Sequence, residues 1–326
     1  MVSIPSGQVR EDWLGFPSGE GISIVIDISS DRLKVFGDES FDEKKQRVAA
    51  VAGLIGTEGE WSALQSAWVG RTGGKEFHAV ECETEYANDP DTDKHRENLK
   101  LYADLCQIVA KSAIRGYGSA FDLISYAKNF PGEDSENGFI HGFSDVIKNL
   151  TRMADNENIQ IEFTFDNRAG GEYNVGLVYQ AFMQLPGWKG KDIFYSNKIS
   201  FDNRNNPRVQ AADLVARETM KFLDNYIGPV RRPQRKSLNV LANGGIEFVA
   251  YEGPYFKEFR EAFPELAKRF GLEGGQYLGW LEKNGLVDNI SNRMHYMMWL
   301  DKKGIQAKEV IKSTDDDKNK KDETAQ

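Results

Sequence analysis

Three aspartates far apart in the chain, Asp38, Asp166 and Asp213, have settings that could do chemistry. Asp38 closes the apolar run 33-LKVFG-37 with Glu39 directly behind it, and Asp166 closes 159-IQIEFTF-165. Asp213 stands between Ala211-Ala212 and Leu214-Val215 in 207-PRVQAADLVARETMKFL-223, a place where an uncompensated charge is costly. Carboxylates delivered by two strand ends and one helix suit Mg²⁺ or Mn²⁺, which prefer hard oxygen ligands and need no His or Cys cluster. Two such ions, about 3.5–4 Å apart, activate a water and stabilise the leaving oxygen of a phosphodiester. The plain alternative for Asp213 is a salt bridge to Arg217, four residues on along a solvated helix edge.

Around these acids stand further candidates. Glu39 reads equally as a ligand and as a turn or helix cap. His78 and Glu81, in 76-EFHAVE-81, could contact phosphate or assist proton transfer, although a lone His beside an apolar run is more often a hydrogen-bonded structural group. Gln210 shares a helix face with Asp213, and Arg204, Arg208, Arg217 and the basic loop 230-VRRPQRK-236 could hold a phosphate backbone. The tetrapeptide FDNR occurs twice, at 165–168 and 201–204, so Asp202 rivals Asp166. The polar run after Asp202 reads as a turn and helix lead-in, whereas Gly170-Gly171 after Asp166 would let a ligand approach. His95, His141 and His295 have no partners at ligand spacing.

The elements that must position these residues follow from periodicity. Residues 1–20 read as an irregular arm and 22–28 as a β-branched strand. Strands are predicted at 33–40 and 48–56, then a helix over 58–71, in which Trp61, Leu64 and Trp68 recur at helical spacing. Helix 93–112, strand 113–124, helix 138–154, strand 159–166, helix 173–185, strand 192–202 and helix 207–223 complete the order. Between residues 33 and 223 this predicts an α/β fold with a mixed five-stranded sheet flanked by helices. The domain is expected to span 21–228, followed by a helical extension over 229–304 and a disordered tail over 305–326.

Composition narrows the function classes. The 326-residue chain has a net charge of −9 and a pI near 5.2, so it is no polycation that coats nucleic acid, and any such contact must be local. Cys82 and Cys106 are too few for a disulfide scaffold or a zinc cluster and point to a reducing compartment. With acids and glycines in the N-terminal stretch and no apolar run of membrane-spanning length, the expectation is a soluble cytoplasmic protein with no membrane contact. The Gly pairs at 73–74, 244–245 and 274–275 lack the framing of a dinucleotide or phosphate-loop fingerprint.

The pieces FGDES (36–40), EFHAVE (76–81), FTFDNR (163–168) and VQAADLVA (209–216) resemble, in that order, the motifs of the family called domain of unknown function 3800. That family looks like a divergent branch of the ribonuclease-H-like, or retroviral-integrase, superfamily. The resemblance covers about residues 33–223 and implies a metal-dependent nuclease fold using Mg²⁺ or Mn²⁺. It further implies that Asp38 is the first-strand ligand, Asp166 the acid on the fourth strand and Asp213 the last-helix ligand. Glu39 and Glu81 match family positions, and Gln210 matches a polar position that orients Asp213 or touches substrate. The chain departs from the simple layout by a helix and the loop 71–93 between the second and third strands, which is where the second acid's assignment diverges.

Three function classes stand at this point. One is a hydrolase of phosphodiesters, with nucleic acid as its substrate. Another is a non-catalytic binding or interaction module on the same fold, which the acidic charge motivates. The third is a hydrolase of a small phosphorylated or nucleotide substrate.

Overall fold

Val48–Thr57 (β2) is apolar along nearly its whole length and buried at all but its last residue, as a strand covered on both faces must be. It forms the centre of the sheet. Leu33–Phe41 (β1) runs antiparallel to it, from Leu33 opposite Thr57 to Phe41 opposite Ala49. On the other side Arg115–Asp122 (β3) is also antiparallel, with Val48 opposite Asp122. Ile161–Asp166 (β4) joins β1 in parallel, Ser200–Asp202 (β5) joins β4 in parallel, and Ile246–Tyr251 (β6) joins β3 in parallel. The result is a mixed six-stranded sheet in the order β5-β4-β1-β2-β3-β6, flanked by helices.

This computed structural model describes residues 32–258 except 90–91, 131–134, 156–158, 168–174, 177–178, 181–182, 184–191 and 197–198, together with 260, 261, 279, 282 and 283. The predicted arm 1–20, strand 22–28, tail 305–326, and most of helix 173–185 and of the helices over 255–302 lie outside the described residues.

Two expectations about the sheet need correction. The sixth strand, β6, falls inside the stretch expected to be a helical extension. It follows the turn Gly244-Gly245, where Gly245 adopts φ 97°, a conformation open to glycine and strained for other residues. Of the strand expected over 192–202, the described residues show the three of β5 and one isolated bridge between Phe194 and Ile161. Phe194 instead turns into the core, where its ring stacks on Tyr179 at 5.0 Å.

Glu58–Thr72 (α1) starts with a capping box, Thr57 accepting from the Glu60 amide and Glu60 from the Thr57 amide, and ends at Gly73 in the left-handed conformation. Ala79–Thr84 (α2) is short and unforeseen, lying in the predicted loop 71–93. Asp93–Lys111 (α3) follows, then Leu123–Asn129 (α4), Ser135–Asp155 (α5), Pro207–Ile227 (α6) and Lys236–Asn243 (α7). One face of the sheet packs on α5 through Val35, Val51, Phe143, Ile147, Leu150 and Phe165. The other packs on α1, α3, α6 and α7 through Phe36, Leu54, Trp61, Trp68, Leu105 and Leu214. Both cysteines are free and buried. Among the described residues no helix is long and apolar enough to cross a membrane.

Helix α6 lies against the sheet because its contact side is small. Ala211, Ala212 and Ala216 are fully buried, and a Cβ built on Gly118 of β3 would stand 2.2 Å from Thr219 Oγ1. G118A should therefore cost about 1–3 kcal/mol by overpacking, and T219A in the same chain should recover part of it. Urea unfolding of the two single variants and the double variant checks this. An equal loss with and without T219A would mean that the helix does not rest on that glycine.

Candidate active site

Alternation along β1 sends Val35 to the α5 face and Phe36 and Asp38 to the α6 face. In β4, Phe165 packs on the α5 side, so Asp166 also points toward α6. Asp38 and Asp166 come one step after the registered pair Gly37–Phe165 on neighbouring parallel strands, which sets them side by side. From above, α6 lowers Asp213 into the same place. The three side chains line one open cleft of about 610 Å³ and are 4 %, 7 % and 5 % exposed, respectively.

Burial raises the pKa of Asp38 well above the usual carboxylate range, and the charges of Asp213, Glu39 and Asp166 push it further. The Glu39 amide, donating to Asp38 Oδ1 at 2.7 Å, opposes this only in part. Asp213 is raised too, by burial, against the pull of His78, the Ala79 amide and Arg204. Its Oδ2 accepts the Ala79 N–H at 2.8 Å, and His78 Nε2 lies 4.0 Å away. The pairing of Asp213 with Arg217 suggested by helix spacing does not form. Arg217 turns to Glu83 on α2, its Nε donating to Glu83 Oε2 at 2.7 Å.

The remaining candidates divide. Glu39 and His78 line the cleft. Glu81 does not: its side chain is 75 % exposed and reaches back to His78, with Oε1 3.0 Å from Nδ1 but outside hydrogen-bonding geometry. Gln210 is a brace, accepting from Trp68 Nε1 at 2.7 Å and donating to the Arg204 carbonyl at 2.6 Å, so it neither orients Asp213 nor faces the cleft. Arg208 holds Glu58 and Gln65 on α1. In the basic loop, Arg232 pairs with Asp224 and Arg235 with Glu83 and Glu218. Each of these arginines is tied to an acid within reach, exposed Glu58 for Arg208, half-buried Glu83 for Arg235, and buried Asp224 and Glu218 for Arg232 and Arg235, a relation that spacing along one helix cannot reveal.

Asp202 is settled by register. The first two residues of each FDNR copy lie side by side, Phe165 opposite Phe201 and Asp166 opposite Asp202, and Asp202 accepts from Asn206 Nδ2 at 2.7 Å to lead into α6. The echo also brings Asn167 and Asn203 to the cleft wall. Sequence reasoning missed Lys45, Asp42 and Glu76. Lys45 and Asp42 lie in the charged segment 40-SFDEKKQR-47 between the first two strands, where the sequence marks no single residue out. Asp42 in fact organises that turn, its Oδ1 accepting the amides of Gln46, Arg47 and Val48 at 3.0, 2.8 and 2.9 Å. Its Oδ2 also accepts the Lys44 amide two residues on at 3.3 Å, the bond of an Asx-type turn.

The donor set of the cleft is one of carboxylate oxygens, the kind a hard divalent cation takes. Among the described residues no group of three or more His, Cys, Asp or Glu side chains is placed so that it could hold a metal ion. Comparison with protein-family models, with curated proteins and with solved structures finds no match to this chain.

Two predictions follow from the electrostatics. Asp38 has a raised folded-state pKa, so its contribution to stability is fully present below the unfolded value near pH 4 and is lost as pH rises through the folded value. D38N should thus be more stable than the parent at pH 7 in cation-free buffer, by on the order of 1 kcal/mol for each unit of pKa difference, with the gap closing toward pH 4. Thermal melts across pH 4–8 read this, and a D38N chain that is less stable at pH 7 would refute the charge crowding. Glu83 is the opposite case: burial raises its pKa, but Arg235 and Arg217 outweigh that and hold it low. Its stabilisation is present above the unfolded value and lost on acidification. E83Q should cost roughly 3–5 kcal/mol at neutral pH, because it leaves Arg217 buried without its partner.

Proposed function

We propose that this chain is a divalent-cation-dependent phosphodiester hydrolase on a ribonuclease-H-like sheet, as the resemblance to the domain of unknown function 3800 family implies. The observation that carries the reading is the meeting of Asp38, Asp166 and Asp213 in one open cleft, where the acids crowd one another electrostatically. Such crowding is relieved by protons or by a cation. Asp38, Asp166 and Asp213 would hold Mg²⁺ or Mn²⁺. When bound, the cation supplies Lewis-acid polarisation of the phosphoryl oxygens and a more acidic water.

The chain's own groups do the rest. Asp213 is held by the Ala79 amide, which fixes one carboxylate oxygen and leaves the other to the cleft. His78 presents Nε2 beside that carboxylate and Nδ1 beside Glu81, so it can take a proton at Nε2 and share the resulting charge between two acids. Water's oxygen bonds to phosphorus, the bond from phosphorus to the leaving oxygen breaks, and that oxygen keeps the electron pair and gains a proton. One water proton passes to a cleft base. The products are one phosphomonoester and one alcohol.

D38N, D166N and D213N should each lower Mn²⁺-dependent cleavage of nucleic acid at least about a hundredfold, as removal of a group stabilising transition-state charge does. Circular dichroism should show the fold intact. Wild-type cleavage in all three variants would refute the assignment. Calorimetric titration with Mn²⁺ supplies the companion reading: if no heat depends on these carboxylates at millimolar cation, the chain is a binding module and not a hydrolase.

A further inference from the structure

We propose that the substrate of this cleft is a short phosphodiester, a dinucleotide or the last linkage of a single strand, seated by Lys45 and Arg204, and not a duplex lying along the surface. This rests on the hydrolase reading above. Two cationic side chains line the cleft among the described residues, and they approach it from different segments. Lys45 comes from the β1–β2 turn that Asp42 ties together, and it adopts φ 53° there. Arg204 comes from the link between β5 and α6, where its carbonyl is fastened by Gln210. Both are exposed, and Arg204 is close enough to Asp213 for its charge to act on that carboxylate.

Duplex binding draws its strength from neutralising many phosphates along the backbone, with about 6–10 contacts giving a steep salt dependence. Here four of the arginines that could extend a backbone track are tied to acids elsewhere, Arg208 to Glu58, Arg217 to Glu83, Arg232 to Asp224 and Arg235 to Glu218, while Arg231 lies over the Tyr226 ring and outside the cleft lining. Glu43 and Glu76 stand exposed at the cleft and repel phosphates that flank the reacting one. A volume of about 610 Å³ is that of a small-ligand site, commonly roughly 300–1,000 Å³. The cleft can neutralise a phosphodiester with one neighbour and discourages a longer run of charge.

The test uses the full chain with Mn²⁺ and three probes, a dinucleotide, a 20-nucleotide single strand and the matching duplex, between 50 and 200 mM salt. Expected are kcat/KM values for dinucleotide and single strand within about tenfold of each other. The slope of log(kcat/KM) against log[salt] should be about −1 to −2, since each phosphate contact contributes roughly −0.7 to −0.9. K45A and R204A should each raise KM about tenfold or more with kcat nearly unchanged, and should flatten the slope by about 0.7, while K45R restores most of the loss. A duplex preferred more than about a hundredfold with a slope steeper than about −4, or alanine variants with unchanged KM, overturns the proposal. If no probe is cleaved, the hydrolase reading fails on its own, and equilibrium binding of the same labelled probes decides this one. Salt-shallow binding of the short probes, weakened by K45A and R204A, supports it; tighter duplex binding, or no binding of any probe, overturns it.

Discussion

The close seat of α6 on the sheet is the constraint on which the rest depends. A helix bearing large side chains on that face would ride higher, and Asp213 would hang above the strand ends instead of beside them. Alanines at 211, 212 and 216 and the bare backbone of Gly118 remove that spacing. The helix is aimed as well as lowered. Asn206 caps it, accepting from the Arg208 amide at 2.9 Å, Pro207 opens it, and Asp202 at the tip of β5 grips Asn206. The strand that ends in an acid therefore also delivers the helix that carries the next one.

Once there, Asp213 would be an isolated buried charge without α2. That short helix is strapped to α6 at two points, by the Ala79 amide on Asp213 and by Glu83 on Arg217 one turn further along. Arg235 ties the same Glu83 to Glu218, whose carboxylate also accepts from Tyr102 at 2.8 Å and Ser237 at 2.7 Å. Every buried acid of this network has basic or hydroxyl partners. The acids of the cleft crowd one another as well, Asp38 and Asp213 each taking one amide and Asp213 also the nearby charge of His78 and Arg204. The contrast separates charges that hold the fold from charges that tension the site.

Much of the frame was legible because its signal is local. Strands β1 to β4 and helices α1, α3, α5 and α6 fall within a few residues of their expected spans, since β-branched runs and helical apolar spacing are read over short windows. What escaped is decided at a distance. β6 is six residues between a Gly-Gly turn and the start of a helical stretch, and only the free edge of β3 makes it a strand. In the cleft, Asp166 was visible as an acid at a strand end, whereas Asp38, expected to close its strand, lies inside β1, which runs on to Phe41. The partners of Gln210 and Arg217 were not, because Trp68 and Glu83 lie 142 and 134 residues away in sequence, and helix spacing names a face without naming what covers it. Lys45 was hidden for another reason: in a run of charges nothing marks which one a turn will direct inward.

Strand direction explains why acids and cations meet at one edge. All strands except β2 run the same way, so the carboxyl ends of β1, β4 and β5 lie together, with Asp166 and Asp202 closing β4 and β5 and Asp38 in the second half of β1 beside them. The lone reversed strand begins at that edge, so the turn feeding it from β1 must cross there too and carries Lys45 to the rim. The chain leaving β5 crosses the same edge to start α6 and brings Arg204. Neither cation depends on a separate domain or on the basic loop at 230–236. The acidic centre and its two counter-charges are thus products of a single topological fact, the insertion of one antiparallel strand into an otherwise parallel sheet.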